Sequence, residues 1–201
     1  VPAHNSHLLI LRLQSSPMIS LNIPSERVSV LLGQNGEVKR MIEKRGKVKI
    51  SVDEDGTVEL SGSSIDEWVA KDVVNAIGRG FSPQKAIKLF SDLYSLRVIN
   101  LREHGNDNDI IRICGRVIGE KGKTRRIIEE MTGCELSVYT HTISLIGELE
   151  GLHLGTEAVY KLIEGSPHAV VYTFLERGRR KLKIGNLIAL KESSLSEPEP
   201  I

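Results

Sequence analysis

The sequence predicts an α+β fold written twice in tandem, each copy a three-stranded antiparallel sheet packed against helices. Three observations carry that prediction. The tetrapeptides Gly33-Gln34-Asn35-Gly36 and Gly119-Glu120-Lys121-Gly122 stand 86 residues apart. Each lies between two segments with the apolar spacing of a helix, and two alternating segments around a turn follow, as in a β-hairpin. The same offset lays Ile42 on Ile128, Glu43 on Glu129 and Val52 on Val138. After a one-residue slip at the hairpin, Leu60 meets Leu145, Gly62 meets Gly147 and Gly80 meets Gly165. A further slip lays Ser82-Pro83 on Ser166-Pro167. A match sustained over nearly the whole chain marks two copies of one unit.

In the first copy, Met18 to Ile23 alternates and predicts a strand that Pro24 stops. Ser25 is placed as the N-cap of a short helix carrying Val28, Val30, Leu31 and Leu32. The first Gly-x-x-Gly follows, then a helix over 37–44 with Val38, Met41 and Ile42 inward. Val48, Ile50 and Val52 share one face of a strand over 47–52. Asp55-Gly56 marks the tip of a hairpin, and residues 57–60 return. Ser64 and Glu67 have the spacing of a capping box. They open a helix with Ile65, Trp68, Val69, Val73, Ala76 and Ile77 on one side, Trp68 among the core. Ser82-Pro83 starts a last short helix.

The second copy repeats the order. Residues 93–101 predict a strand, and 104–109 a polar connection with Asp109 as a cap. Helices are predicted over 110–118 and 123–132, a hairpin from 134–139 and 142–146, and a long helix over 149–164. Ser166-Pro167 restarts a helix carrying Val170, Val171, Phe174 and Leu175, with Phe174 as core. The domains are expected at 18–91 and 92–183, with 184–201 a disordered tail. Residues 1–17, mixed in character, receive no role.

Composition excludes several classes. At 201 residues, 40% hydrophobic and 26% charged, the chain is of ordinary globular make-up. No apolar run is long enough to span a membrane. Residues 7–13 are apolar but short and interrupted by Arg12, a poor signal sequence. Cys114 and Cys134 fit neither a metal spacing nor a disulfide framework, and read as buried thiols of a reducing compartment. A cytoplasmic protein without a membrane is expected. The stretch 104–109 lacks the spacing and closing Glu of a calcium loop. The histidines are scattered, so no metal or cofactor is expected. The acids are spread along helices and a turn rather than clustered for a nuclease, so no catalytic residue is assigned.

Charge is local rather than global. The net charge is +1. Yet Arg116 to Arg126 holds five basic residues against Glu120 alone, and Arg177 to Lys183 holds five with no acid. Aromatics are 4%, too few for base stacking to dominate. The run from Val117 to Ile128 joins an apolar approach, a glycine turn, a basic cluster and an aliphatic pair. A tight turn opening a helix, with cations beside it, suits a phosphodiester backbone. In the expected mechanism the N–H groups of Glu120 to Lys123 approach phosphates, and Lys121 and Lys123 add charge. Ile118 and Val138 line an aliphatic groove for bases. Polar groups on the strand edge near Leu136 hydrogen-bond base edges. Arg116, Gly119, Gly122, Arg125 and Arg126 complete the expected site.

Arg177, Arg179, Arg180, Lys181 and Lys183 form an expected auxiliary contact; cations at a helix C-terminus are favourable in any case. Gly33, Gln34, Asn35, Gly36, Lys39 and Arg40 form a candidate second contact, to RNA or to protein. No basic residue stands inside that loop, and Glu37 follows it.

A helix–Gly-x-x-Gly–helix inside β-α-α-β-β-α resembles the KH domain, whose loop clamps single-stranded backbone. Val117-Ile118-Gly119-Glu120-Lys121-Gly122 is similar to the KH signature. Arg125 and Lys39 depart from it, since an aliphatic residue commonly stands there. That departure resembles the ribosome-biogenesis proteins of the partner-of-Nob type. So do Ala76 to Pro83, Gly122 to Glu130 and Val171 to Arg177, which resemble archaeal members. The resemblance spans residues 18–183. It implies two tandem type I KH domains in a non-catalytic RNA-binding protein. It also implies binding to the 3′ region of small-subunit ribosomal RNA, within the pre-ribosomal small subunit, and positioning of the Nob endonuclease. The alternative is a KH adaptor in translation or RNA decay.

Overall fold

In a computed structural model, residues 18–195 are described. The apolar run at 8–11 and the final residues 196–201 lie outside them. The chain divides into two units between Phe90 and Ser91.

The first unit runs β1 (Met18–Asn22), α1 (Ser25–Leu32), a 3₁₀ turn (Gln34–Gly36), α2 (Glu37–Gly46), β2 (Lys49–Val52), β3 (Thr57–Ser61), α3 (Ser64–Gly78) and a short α4 (Pro83–Ala86). The sheet order is β1-β3-β2, with both pairings antiparallel. Ile19 and Ile50 flank Leu60 from the two sides. Leu31, Ile42, Val58, Leu60, Val73 and Ile77 are completely buried. Period two in the strands and period 3.6 in the helices thus converge on one core.

The second unit repeats this as β4 (Ser95–Asn100), α5 (Asp107–Ile118), a 3₁₀ turn (Glu120–Gly122), α6 (Lys123–Thr132), β5 (Glu135–Tyr139), β6 (Thr142–Gly147), α7 (Leu149–Ile163) and α8 (His168–Leu195). The sheet order is β4-β6-β5, again antiparallel, so β5 is an edge strand. Leu101, Val117, Ile128, Ile143, Leu145, Val159, Leu162, Val171 and Leu175 are buried in one cluster. Two three-stranded antiparallel sheets with helices make the fold α+β, as the sequence predicts.

Several local expectations are corrected. Ser25 is the first residue of α1 and caps nothing; Pro24 holds the cap position in extended conformation. The cap of α3 is Ser63, not Ser64. Its hydroxyl accepts from Asp66 N at 3.3 Å and donates to Asp66 Oδ2 at 2.6 Å. Glu67 is buried instead, with Oε1 accepting from Gly62 N at 2.8 Å. With Glu67 turned inward, α3 buries the face carrying Ala70, Val73, Val74 and Ile77. Trp68 is therefore not core: it is 61% exposed, with Lys71 Nζ 4.3 Å from its ring centre. Ile65 is exposed as well.

The strand after α2 starts at Lys49, because Lys47 turns left-handed at φ 51°. α5 starts three residues early. Asn106 caps it and Asp109 reaches back to Asn106 N, a complete capping box. Val170 is exposed and Phe174 only half-buried. Cys134 is buried while Cys114 is half-exposed. Where a tail from 184 was expected, α8 continues to Leu195. Glycine at 178 and 185 does not break it; Gly178 packs tightly against Leu154, and Gly185 faces open space. Among the described residues no helix is long and apolar enough to cross a membrane.

Candidate nucleic-acid interface

α5 ends where Gly119 takes φ 69° and ψ 175°. Two constraints meet at this residue. The positive φ strains any side chain, and a Cβ would stand 2.2 Å from Thr124 Oγ1. Thr124 is itself fixed, buried and hydrogen-bonded to the Tyr172 hydroxyl at 2.8 Å. Lys121 is left-handed at φ 49°, and Gly122 at φ 76°. α6 then begins without a side-chain cap. The chain therefore turns in two residues and presents the side chains of Glu120, Lys121 and Lys123 to solvent. Arg126 braces the turn by donating to Lys121 O at 3.1 Å.

Two of the four expected backbone donors are occupied. Gly122 N donates to Gly119 O at 3.1 Å, and Lys123 N to Glu120 O. Glu120 and Lys121 remain as the backbone N–H groups of the loop to consider for an anion.

The groove side of the loop is built by α5, α6 and β5. Ile118 is 39% exposed, and Ile111, seven residues earlier on the same helix face, is 71% exposed. Val138 is half-buried on the edge strand. Arg125 pairs with Glu129, Nε to Oε1 at 3.4 Å. That carboxylate oxygen also accepts from Leu136 N at 3.0 Å. Of the strand-edge groups near Leu136, the Leu136 amide itself is thus taken from within. In an antiparallel ladder alternate residues point their polar groups the same way, so Val138, two residues on, also turns its backbone groups to the open edge.

Arg116 is committed inside its unit. Nε donates to Leu162 O at 3.1 Å and Nη2 donates to Ser166 O. Its own carbonyl accepts from His168 Nε2 at 2.9 Å, which fixes the proton on that nitrogen. The first unit does the same from a different turn: Arg27 donates to Ile77 O at 2.8 Å and to Phe81 O at 2.6 Å.

The basic cluster of α8 is split. Arg179 Nη1 turns inward, 3.6 Å from Met131 Sδ. Arg177, Arg180, Lys181 and Lys183 are exposed. Three of them, Arg177, Arg180 and Lys181, line a cavity of about 900 Å³ between α7 and α8, with Glu150 and Glu157 also lining it.

The first loop has nearly the same backbone. Gly33 is at φ 70°, Asn35 at 50° and Gly36 at 75°. Gln34 and Asn35 are exposed, as is Arg40, while Lys39 lies 4.0 Å from Glu43. Shape is therefore common to both copies and charge is not.

Burial pushes both cysteine thiols up from their ordinary range, so neither is primed as a nucleophile. His168 and Tyr172 were missed by sequence reasoning. Only the position of α8 against α5 and α6 brings them to the loop, and no local spacing signals that.

The comparisons agree with this geometry. Residues 18–76 match the model of the KH domain, and residues 95–180 match that of the eukaryotic type KH-domain, type I. The chain is 46% identical over 180 residues to a KH domain-containing protein of Methanocaldococcus jannaschii, covering 87% of this chain and 79% of that protein. It is 31% identical over 117 residues to the pre-rRNA-processing protein pno1 of Emericella nidulans, covering 56% of this chain and 45% of that one. Against that relative the chain thus spans less than half the length. Among solved structures, Dim2p of Pyrococcus horikoshii is similar with a TM-score of 0.75 at 42% identity, covering 81% of this chain and 99% of that one. A chain of the a/eIF2alpha-aDim2p-rRNA complex from the same organism gives 0.79 at 39%, covering 86% and 99%.

Proposed function

We propose, for a chain that belongs to the archaeal-type family of two-KH-domain ribosome-biogenesis proteins related to PNO1 and Dim2p, that it holds single-stranded ribosomal RNA on the second Gly-x-x-Gly loop. The observation that carries this is the loop itself. A two-residue left-handed turn exposes Lys121 and Lys123 beside an apolar strip from Ile118 to Val138. Phosphates lie over the N–H groups of Glu120 and Lys121, with the two lysines and Arg126 supplying charge. Bases lie on the apolar strip, and Val138 offers its edge-facing backbone groups. Gly119 and Gly122 shape the turn. Arg125 and Arg116 hold the groove in place rather than touching RNA. The exposed Arg177, Arg180, Lys181 and Lys183 extend the cationic surface. Arg179, turned inward, anchors α8.

The finer reading is that the RNA is the 3′ region of the small-subunit species and that the chain is not catalytic. In it the chain positions the Nob endonuclease on the pre-ribosomal small subunit. It is supported by relatives whose names specify pre-rRNA processing and an rRNA complex. Precursor cleavage by that endonuclease, unchanged when the chain is added, would remove the positioning role.

The test of RNA binding keeps both glycines. Glu120→Asp with Lys121→Asp takes the loop from neutral to two negative charges, and Asp tolerates the left-handed conformation. Filter binding to single-stranded rRNA should weaken by at least about tenfold, one charge-assisted contact being worth that much. The thermal midpoint should hold. Binding equal to that of the unmodified protein would defeat the reading. In the same assay, Arg177→Glu with Lys181→Glu should flatten the salt dependence; an unaltered slope removes α8 from the contact.

A further inference from the structure

A cavity of about 510 Å³ lies against the loop on its α8 side, away from β5. α5 contributes Arg112 and Gly115, α6 contributes Lys123 and Thr124, and α8 contributes His168 and Tyr172. The two hydrogen bonds already described, His168 to Arg116 O and Tyr172 to Thr124, hold α8 in place as one wall. Because His168 donates through Nε2, its Nδ1 is an acceptor in the neutral ring, suited to a ribose 2′-hydroxyl rather than to a phosphate oxygen.

Two observations say that this space is shaped for a ligand. First, Gly115 lies inside α5, where glycine weakens a helix relative to alanine. A Cβ there would meet no atom within 4 Å. Packing does not demand the glycine, and what it provides is a bare helix wall beside the cavity. At the matching place the first unit has Ser29. Second, the charges invert between the copies. Arg112 and Lys123 fall on Glu26 and Glu37 at the offset of 86. The same fold is built with either sign, so the fold does not require cations here. Glu120 is the one carboxylate among the lining residues and sits exposed on the loop, while Asp109, just outside the lining, holds Arg112 Nη2 at 3.1 Å in an exposed pair that a phosphate must share or displace.

We propose that this cavity is a phosphate subsite for single-stranded RNA. It takes the strand's backbone beyond the nucleotides held by the loop and β5. Arg112 and Lys123 are its cations, His168 Nδ1 the acceptor for the adjoining ribose 2′-hydroxyl, and Gly115 its open wall. The proposal rests on the RNA-binding reading above, and it extends the bound strand past the four nucleotides that a KH loop clamps.

The test compares a four-nucleotide with an eight-nucleotide single-stranded rRNA segment by fluorescence anisotropy. One variant is Gly115→Leu, which fills the cavity with a good helix former. The other is Arg112→Gln, which keeps the His168 bond to Arg116 O. Each should weaken the longer RNA by about tenfold, the worth of a charged hydrogen bond, and leave the shorter unchanged. The midpoint of Gly115→Leu should not fall. Undiminished binding of the longer RNA overturns the subsite, and so does equal weakening at both lengths. Failure of the unmodified protein to bind either RNA defeats the functional reading instead, a distinguishable result.

Discussion

Lys121 and Asn35 hold the same left-handed backbone although their side chains share nothing. The glycines around them impose the turn, and the middle residue accepts it. Gly119→Ala should therefore be a folding defect before it is a binding defect. It adds a strained φ and forces Thr124 to move, costing roughly 1–3 kcal/mol. Chemical denaturation should show that loss with no RNA present; an unchanged midpoint would mean that Thr124 yields freely. Most of this was legible in the sequence, because Gly-x-x-Gly with an apolar lead-in is a local signal. The destinations of side chains were not. Arg116 and Arg125 read as part of the RNA-binding site because they are basic and nearby. They instead serve carbonyls and a carboxylate that only the fold brings near. Trp68 read as core from its spacing, but the inward turn of Glu67 rotates it out.

At the scale of elements, each unit joins its second helix to its edge strand by the same device. Glu43 Oε1 accepts from Ile50 N, and Glu129 Oε1 accepts from Leu136 N, both at 3.0 Å. A basic residue four positions earlier balances each carboxylate. An edge strand otherwise offers such donors to any passing strand. Glu129→Ala should leave the Leu136 amide without its partner and cost about 1–2 kcal/mol. Hydrogen exchange at Leu136 should accelerate more than at Ser137, whose pairing partner is Ser144. Equal rates would mean that water replaces the carboxylate without penalty. The offset of 86 already aligned the two glutamates in the sequence. Their role was hidden because the donor lies on the following strand, beyond the helix end, where helical spacing no longer says what meets what.

The whole molecule is one fold with two chemistries. If charge alone separates the copies, the first should gain what the second has. Glu26→Arg, Gln34→Glu, Asn35→Lys and Glu37→Lys together transplant the second loop's charge pattern onto a backbone that already has the right dihedral angles. RNA binding should then persist, in part, when the second loop carries Glu120→Asp with Lys121→Asp. No recovery would mean that α8, which the first unit replaces with the four-residue α4, is indispensable. The duplication was legible from residue pairs alone. The reach of α8 was not, because Ser, Glu and Pro near the end masked a helix that continues to Leu195.

The sign inversion between Arg112 with Lys123 and Glu26 with Glu37 bears on direction. Two equally charged copies would offer a strand two interchangeable footholds, and hence two frames in which to settle. A neutral first loop followed by Glu37 is the weaker foothold for a polyanion. If the second loop alone holds the strand, a bound RNA has a single register and a defined polarity.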